Sequence, residues 1–123
     1  MPDKKDLRER LSLPVYDNSS DVEIFQNQVL RPILKLQNEI YLMLFQDYAV
    51  CKISDFNALQ TDKKIIFIEQ SLWKDQALRN IFIGMTIGMF TAEEMKTYIP
   101  DKNVFYKRII MLLTERLKSQ MEK

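Results

Sequence analysis

The sequence predicts an all-α protein, a helical bundle of four to six helices around a long, Pro-kinked central helix. The chain of 123 residues has two glycines, four prolines and 46% hydrophobic content, which is typical of regular elements with short connections. Apolar residues recur at helical spacing through residues 22–50, VEIFQNQVLRPILKLQNEIYLMLFQDYAV. We therefore expect a single domain over residues 21–123, preceded by an N-terminal arm at residues 1–20.

The arm differs in composition from the rest of the chain. Its sequence, MPDKKDLRERLSLPVYDNSS, is dense in charge and then in turn-forming residues, and residues 4–11 fit a short helix. Its later apolar residues are Leu11, Leu13, Val15 and Tyr16. They either lie extended across the bundle or a neighbouring subunit, or belong to a disordered tail. Because the arm lacks a continuous hydrophobic segment, we expect no signal peptide.

The predicted central helix carries two apolar stripes. The first stripe is Val22, Phe25, Val29, Ile33, Leu36, Ile40 and Met43, and the second is Leu30, Leu34, Tyr41, Phe45 and Tyr48. So wide an apolar arc indicates a partner on each side of the helix. Ser20 and Glu23 have the spacing of a capping box at its start. Pro32 predicts a kink near residues 29–31, because proline removes one backbone hydrogen bond.

The remaining segments also favour helices. Ser54 or Asp55 is placed to cap a short helix, and residues 62–74 follow as a longer one. Its run IIFI at residues 65–68 fits a strand as well, but no second strand-like run exists to pair with it, so we predict a buried helical turn. Residues 75–90 either continue that helix or follow a small break at Lys74 and Asp75.

Two further helices complete the predicted bundle. The sequence TAEE at residues 91–94 is a capping box, and its short helix ends before Pro100. The last helix runs from about Lys102 to Met121. It is expected to bury Phe105, Ile109, Leu112, Leu113, Leu117 and Met121.

The residue content argues against most familiar catalytic designs. The chain has no histidine, which removes the commonest general base and the commonest transition-metal ligand. Glu39, Glu69, Glu93 and Glu94 lack the Glu-x-x-His pairs of di-iron bundles and are better explained by capping and solvation. We expect no metal site, no cofactor and no catalytic residue. Cys51, the single cysteine, is expected to be a small buried or half-buried side chain, which suits a reducing, cytoplasmic environment.

The charge balance gives no global attraction to nucleic acid or membranes. Eighteen basic and seventeen acidic side chains leave a net charge of +1, and acidic residues are interleaved with the basic ones of the last helix. The longest nearly apolar run, IFIGMTIGMF at residues 81–90, is about half of the roughly 20 residues that span a bilayer. We therefore expect neither nucleic acid nor membrane as a partner.

Two surfaces are candidates for binding. Tyr41, Phe45 and Tyr48 are the predicted contact of a homodimer, because aromatic side chains with polar tips are enriched in interfaces. A candidate apolar pocket combines Trp73, Gly84, Met85, Gly88 and Met89. The alternative for the Gly84–Gly88 spacing is close helix packing within the fold, and for the methionines and Trp73 it is ordinary core filling.

Three stretches together resemble a group of small bacterial proteins of unknown function, some of which carry the catalogue name glyoxalase. They are FQNQVLRPILKLQNEI (residues 25–40), IFIGMTIGMFTAEE (81–94) and RIIMLLTERLKSQ (108–120). The resemblance covers about 100 residues from roughly Ser20 onward and implies a helical fold. Glyoxalase folds hold their metal with histidine, which this chain lacks, so no functional residue is carried over.

These observations favour a self-associating interaction or regulatory module. The expected partner is a second copy of the chain in a homodimer, and a different protein is the alternative partner. The first alternative is a helical protein that binds a small apolar ligand near Met85, Met89 and Trp73. The second is an enzyme without histidine, which has no residue spacing to support it.

Overall fold

A computed structural model describes residues 20–121, and every regular element within that range is helical. The first helical stretch comprises α1 (Asp21–Phe25), a π-helical turn (Gln26–Leu30) and α2 (Arg31–Leu36), and α3 (Asn38–Lys52) follows Gln37. Next come a 3₁₀ turn (Phe56–Ala58), α4 (Thr61–Lys74), α5 (Gln76–Ile87), α6 (Ala92–Tyr98), a second 3₁₀ turn (Ile99–Asp101) and α7 (Lys102–Met121). The predicted all-α bundle is confirmed. The predictions for residues 1–19 of the arm lie outside the described residues.

The start of the bundle combines a side-chain cap with a widened turn. The Ser20 hydroxyl accepts the backbone N–H of Glu23 at 3.1 Å, as the capping pattern predicts. The backbone N–H of Arg31 donates to the carbonyl of Gln26, five residues earlier, which is the π-helical bond. In a regular α-helix the ring of Pro32 would crowd the carbonyl four residues back. The wider turn lies just before Pro32, where the kink was predicted, and the chain stays helical through it.

A second interruption, which the sequence did not predict, lies at Gln37, whose φ of −96° and ψ of 12° depart from helical values. The second apolar stripe faces the core on both sides of this point, from Leu30 through Phe45. The first stripe is buried only as far as Ile33, and its later members are exposed.

A corner at Asp75, whose backbone is extended, separates α4 from α5, so residues 62–90 contain two helices. The carboxylate of Asp75 accepts the backbone N–H of Leu78 at 3.1 Å and caps α5. The guanidinium of Arg79 donates to the backbone carbonyls of Leu72 and Trp73, which are left open at the end of α4. The break suggested at Lys74 and Asp75 is therefore present, with a cap on each side.

The segment IIFI is helical, within α4, and the competing strand assignment is wrong. Ile68 is completely buried, whereas Ile66 is exposed, so the expectation that the whole turn is buried is also wrong. The short 3₁₀ turn before α4 has Asp55 at its N-cap position without a side-chain hydrogen bond. The capping box at α6 is complete, with Thr91 and Glu94 each bonded to the other's backbone N–H.

Two groups of aromatic rings fill opposite ends of the core. The rings of Phe25 and Phe105 lie 4.6 Å apart between centroids, and Phe90 and Tyr98 pack beside them. The other group is Phe45, Tyr48, Phe56 and Phe67. Helix α7 has the predicted bounds and buries its predicted residues, except that Met121 is only partly buried.

Candidate interaction surfaces

The three predicted interface residues do not form an exposed surface. Tyr41 and Phe45 are completely buried inside the chain's own core, so neither side chain is available to a second copy. Tyr48 is half-buried, and its hydroxyl donates to the carboxylate of Asp75 at 2.8 Å. The aromatic residues of the second stripe therefore hold α3 against the rest of the bundle.

A buried polar network explains how the core accommodates a tyrosine. The hydroxyls of Tyr41 and Thr86 lie 2.8 Å apart, and the amide of Gln37 donates to the Tyr41 hydroxyl at 2.9 Å. The same amide donates to the backbone carbonyl of Met85 at 3.2 Å, and the Thr86 hydroxyl bonds the carbonyl of Phe82. Burial raises the pKa of Tyr41 above its ordinary value. This network joins the break at Gln37 to α5.

An exposed apolar face does occur on the other side of this part of the chain. Leu36 at the end of α2 is 43% exposed, Ile40 and Met43 of α3 are 56% and 71% exposed, and Val50 is exposed one heptad beyond Met43. We call these four residues the α3 stripe. Their spacing of four, three and seven residues is that of a helix–helix seam, and Asp47 fills the remaining position of the repeat.

The structure does not bring together the five residues of the predicted pocket. Met85 and Met89 pack against the core, whereas Gly84 of α5 and Gly88 at its C-cap are exposed. A Cβ atom added at Gly84 would meet no neighbouring atom within 4 Å, so this glycine allows no close helix approach inside the fold. Trp73 lies elsewhere and lines a different depression.

That depression, which we call the Trp73 groove, lies between α4 and α7 and has a volume of about 700 Å³. Its apolar middle is formed by Trp73, Ile110 and Met111. Trp73 is the single tryptophan of the chain and is 75% exposed. With Ile110 and Met111 beside it, this exposed side chain makes the Trp73 groove a candidate interaction surface.

The two ends of the Trp73 groove carry opposite charges. Lys118 lies 3.7 Å from Glu69, and Tyr106 accepts a hydrogen bond from Gln76 at 3.1 Å, so α4 and α7 run antiparallel. The lining residues at the Tyr106 end include the cations Lys74, Arg79 and Lys107. The lining residues at the Lys118 end include the carboxylates Glu69 and Glu115, and Lys118 pairs with both.

The remaining chemical candidates do not assemble into a site. Cys51 is exposed in the last turn of α3, so the expectation of a buried or half-buried thiol is wrong. Within residues 20–121, no three His, Cys, Asp or Glu side chains are grouped closely enough to hold a metal ion. Across the same range, no helix combines the length and the apolarity that crossing a membrane would require.

Comparison with known proteins adds no assignment. No family model matches the chain, and neither a curated protein nor a solved structure is significantly similar to it. The resemblance to small bacterial proteins of unknown function stays a prediction.

Sequence reasoning missed the Trp73 groove, because its walls come from helices about 40 residues apart in the chain. The α3 stripe had a signal, since Leu36, Ile40 and Met43 are the second half of the first predicted stripe. The sequence pattern did not show after which residue that stripe leaves the core.

Proposed function

We propose that this protein is a self-associating interaction module that forms a homodimer through the α3 stripe. The observation that carries the proposal is the row of large apolar side chains left exposed at Leu36, Ile40, Met43 and Val50. Their alternating spacing of four and three residues favours another helix with the same spacing, which a second copy supplies. The net charge of +1 offers little repulsion between copies.

The residues of the α3 stripe also indicate how strongly two copies would bind each other. Burying a large aliphatic side chain contributes about 1.5–3 kcal/mol, whereas association costs at least about 4 kcal/mol in lost freedom of motion, so several residues of the α3 stripe must contribute for a dimer to form. Asp47 is exposed at one position of the repeat. A charged residue at such a position lowers the affinity of the two helices for each other and limits the registers in which they can pair. We therefore expect a reversible dimer.

The test is the oligomeric state of the purified chain at micromolar concentration, measured by native mass spectrometry and sedimentation. Wild type should be a dimer, and Ile40→Asp or Met43→Asp should weaken it by at least about 2 kcal/mol, roughly thirtyfold in Kd. Circular dichroism should stay unchanged, because both side chains lie outside the core.

The matched control is Ile81→Asp, the same kind of change at an exposed isoleucine of α5. It should leave the dimer intact. A wild-type monomer at these concentrations would contradict the proposal. Loss of the dimer in Ile81→Asp alone would place the contact on α5, beside Gly84.

A further inference from the structure

Another cavity lies between α7 and the helices that begin the bundle, and it has a volume of about 680 Å³. One wall is formed by Arg31 and Leu34 of α2 and by Asn38 of α3. The other wall is one face of α7 between residues 111 and 120, with Arg116 near its middle. We call this cavity the Arg31–Arg116 cleft. No residue of the α3 stripe lines it.

Each arginine of the cleft is held by a neutral amide. The Nε of Arg31 donates to the side-chain oxygen of Asn27 at 3.0 Å, and Nη1 of Arg116 donates to the side-chain oxygen of Asn38 at 3.4 Å. Asn38 is oriented in turn by Gln120, through amide hydrogen bonds of 2.9 and 3.1 Å. Both arginines are half-buried. The amides therefore position the two guanidinium groups without neutralising their charge.

The two positive charges have no carboxylate partner within residues 20–121. Glu115 also lines the cleft, but its carboxylate lies 3.6 Å from the ammonium group of Lys118. Burial, followed by the positive charge of Arg31, lowers the pKa of the Arg116 guanidinium. Partly buried charges are costly unless they are paired, and like charges repel each other. An anion in the cleft would therefore stabilise both arginines.

We propose that the Arg31–Arg116 cleft binds the phosphate group of a small molecule, with both guanidinium groups donating hydrogen bonds to the phosphate oxygen atoms. The planar fork of an arginine matches the geometry of phosphate. Both terminal nitrogens of Arg31, and Nε and Nη2 of Arg116, have no hydrogen bond to any described residue, so they are available as donors. A phosphate ester carries a charge of about −1.5 to −2 at pH 7 and offsets two arginines, whereas a carboxylate offsets one.

The size of the cleft indicates that the phosphate belongs to a larger molecule. A volume of about 680 Å³ is in the range of sites for small organic ligands and exceeds that of one phosphate group. Beside the arginines, the lining includes Met111, which is 47% exposed, and the hydroxyl of Ser119. We therefore expect a phosphate monoester with a small, partly apolar body.

The first test is the binding of inorganic phosphate to the full-length protein, measured by isothermal titration calorimetry at constant pH and ionic strength. Wild type should bind one phosphate per chain. Arg31→Gln and Arg116→Gln should each raise the Kd by about tenfold or more, because each removes hydrogen bonds from a charged donor. Absence of saturable binding to wild type, or an unchanged Kd in both variants, would overturn the proposal.

The matched control is Arg108→Gln. Arg108 is also a half-buried arginine of α7, and it donates to the side-chain oxygen of Gln26 at 2.9 Å, but it does not line the cleft. Its replacement should leave the Kd of phosphate unchanged. An equal loss of affinity in Arg108→Gln would show that phosphate responds only to the overall positive charge, and this would overturn the site.

Thermal unfolding provides a second readout. Phosphate should raise the melting temperature of wild type, because it binds only the folded chain, and should have little effect on Arg31→Gln. Sodium chloride at the same ionic strength should not reproduce the rise. An equal rise with sodium chloride would mean general screening of charge and would overturn the proposal.

Two further comparisons define the ligand and the number of chains at the site. Butyl phosphate should bind severalfold more tightly than inorganic phosphate, because its alkyl group can contact Met111. Weaker binding of butyl phosphate would overturn the assignment of a phosphate ester. Met43→Asp should bind phosphate like wild type, whether or not the dimer of the α3 stripe forms. Loss of binding in that variant would overturn a site contained within one chain.

Discussion

At the scale of single residues, Tyr41 links the stability of the core to a hydrogen bond. Its hydroxyl is shared with Thr86 and Gln37 inside the bundle. Tyr41→Phe should lower the free energy of unfolding by about 1 kcal/mol. The ring of the phenylalanine still packs in the core, but the hydrogen bonds of the Tyr41 hydroxyl to Thr86 and Gln37 are lost. Denaturant titration measures this change. The control is Tyr106→Phe, whose hydroxyl bonds the exposed Gln76 and should contribute less. Equal losses in the two variants would contradict the role of the network.

The same tyrosine predicts how stability falls at alkaline pH. Burial raises the pKa of Tyr41, so the folded protein favours the neutral hydroxyl. The stabilisation is complete below about pH 10, the unfolded value, and is lost as pH rises above it. Tyr41→Phe should therefore show a shallower alkaline loss of unfolding free energy. Burial also raises the pKa of Tyr48 and of Tyr98, so the slope should decrease without disappearing.

At the scale of elements, the corner between α4 and α5 depends on Asp75. Its carboxylate accepts from the backbone of Leu78 and from the hydroxyl of Tyr48. Asp75→Ala should cost about 1 kcal/mol of unfolding free energy, whereas Asp75→Asn keeps an acceptor at the cap and should cost less. Chemical denaturation of both variants makes the comparison. An alanine variant as stable as wild type would show that Arg79 alone is enough to hold the corner.

Asp75 also makes the stability of the fold depend on pH in the acid range. The backbone hydrogen bond from Leu78, followed by that from Tyr48, holds the pKa of this carboxyl below its ordinary value. Its contribution is therefore complete above about pH 4, the unfolded value, and is lost as pH falls through the lower folded pKa. In the Asp75→Asn variant the free energy of unfolding should fall less steeply as the pH decreases below about 4. The same fall as in wild type would mean that other carboxylates cause most of the loss of stability in acid.

The exposed Gly84 of α5 and Gly88, which follows the helix, give different steric predictions. Gly84→Ala should stabilise the protein by about 0.5–1 kcal/mol, because the helix gains propensity and the new Cβ meets no neighbour within 4 Å. Gly88→Ala should give no gain, because Gly88 follows the helix as its C-cap and the new Cβ would lie 3.0 Å from the backbone carbonyl oxygen of Gly84. Thermal unfolding separates the two. A Gly84→Ala protein that is more stable yet no longer dimeric would reveal a dimer contact at this face.

Local patterns predicted the helices better than the surfaces. The caps at Ser20 and Thr91 and the bounds of α7 follow from residues within one or two turns, so the sequence was sufficient for them. The face of α3 that meets water depends on Gln37, whose side chain bonds the carbonyl of Met85 about 50 residues later. Periodicity within one helix contains no information about that distant acceptor, so it could not tell which of the two stripes faces the core.

At the scale of the whole molecule, the exposed Cys51 reports how two copies would pair. It follows Val50 directly, at one end of the α3 stripe. An antiparallel pair centred on Met43 places Leu36 opposite Val50 of the second copy and separates the two Cys51 residues by about 24 Å. A parallel pair would bring them together and align Asp47 with itself. We therefore expect inefficient disulfide cross-linking of the dimer under mild oxidation. Rapid cross-linking at Cys51 would indicate the parallel arrangement.

The π-helical turn at Gln26–Leu30 makes the first helical stretch tolerant of a change in chain length. The turn closes on the bond from Arg31 to Gln26, five residues back, so it holds one residue more than an α-helical turn. Deleting the exposed Gln28 should therefore leave an ordinary α-helical turn and keep Phe25 on the face that meets Phe90 and Phe105, but it should return the ring of Pro32 to a position where it crowds the carbonyl four residues back. In an alignment of related chains, a one-residue gap at this turn should coincide with the loss of the proline, while position 25 stays apolar.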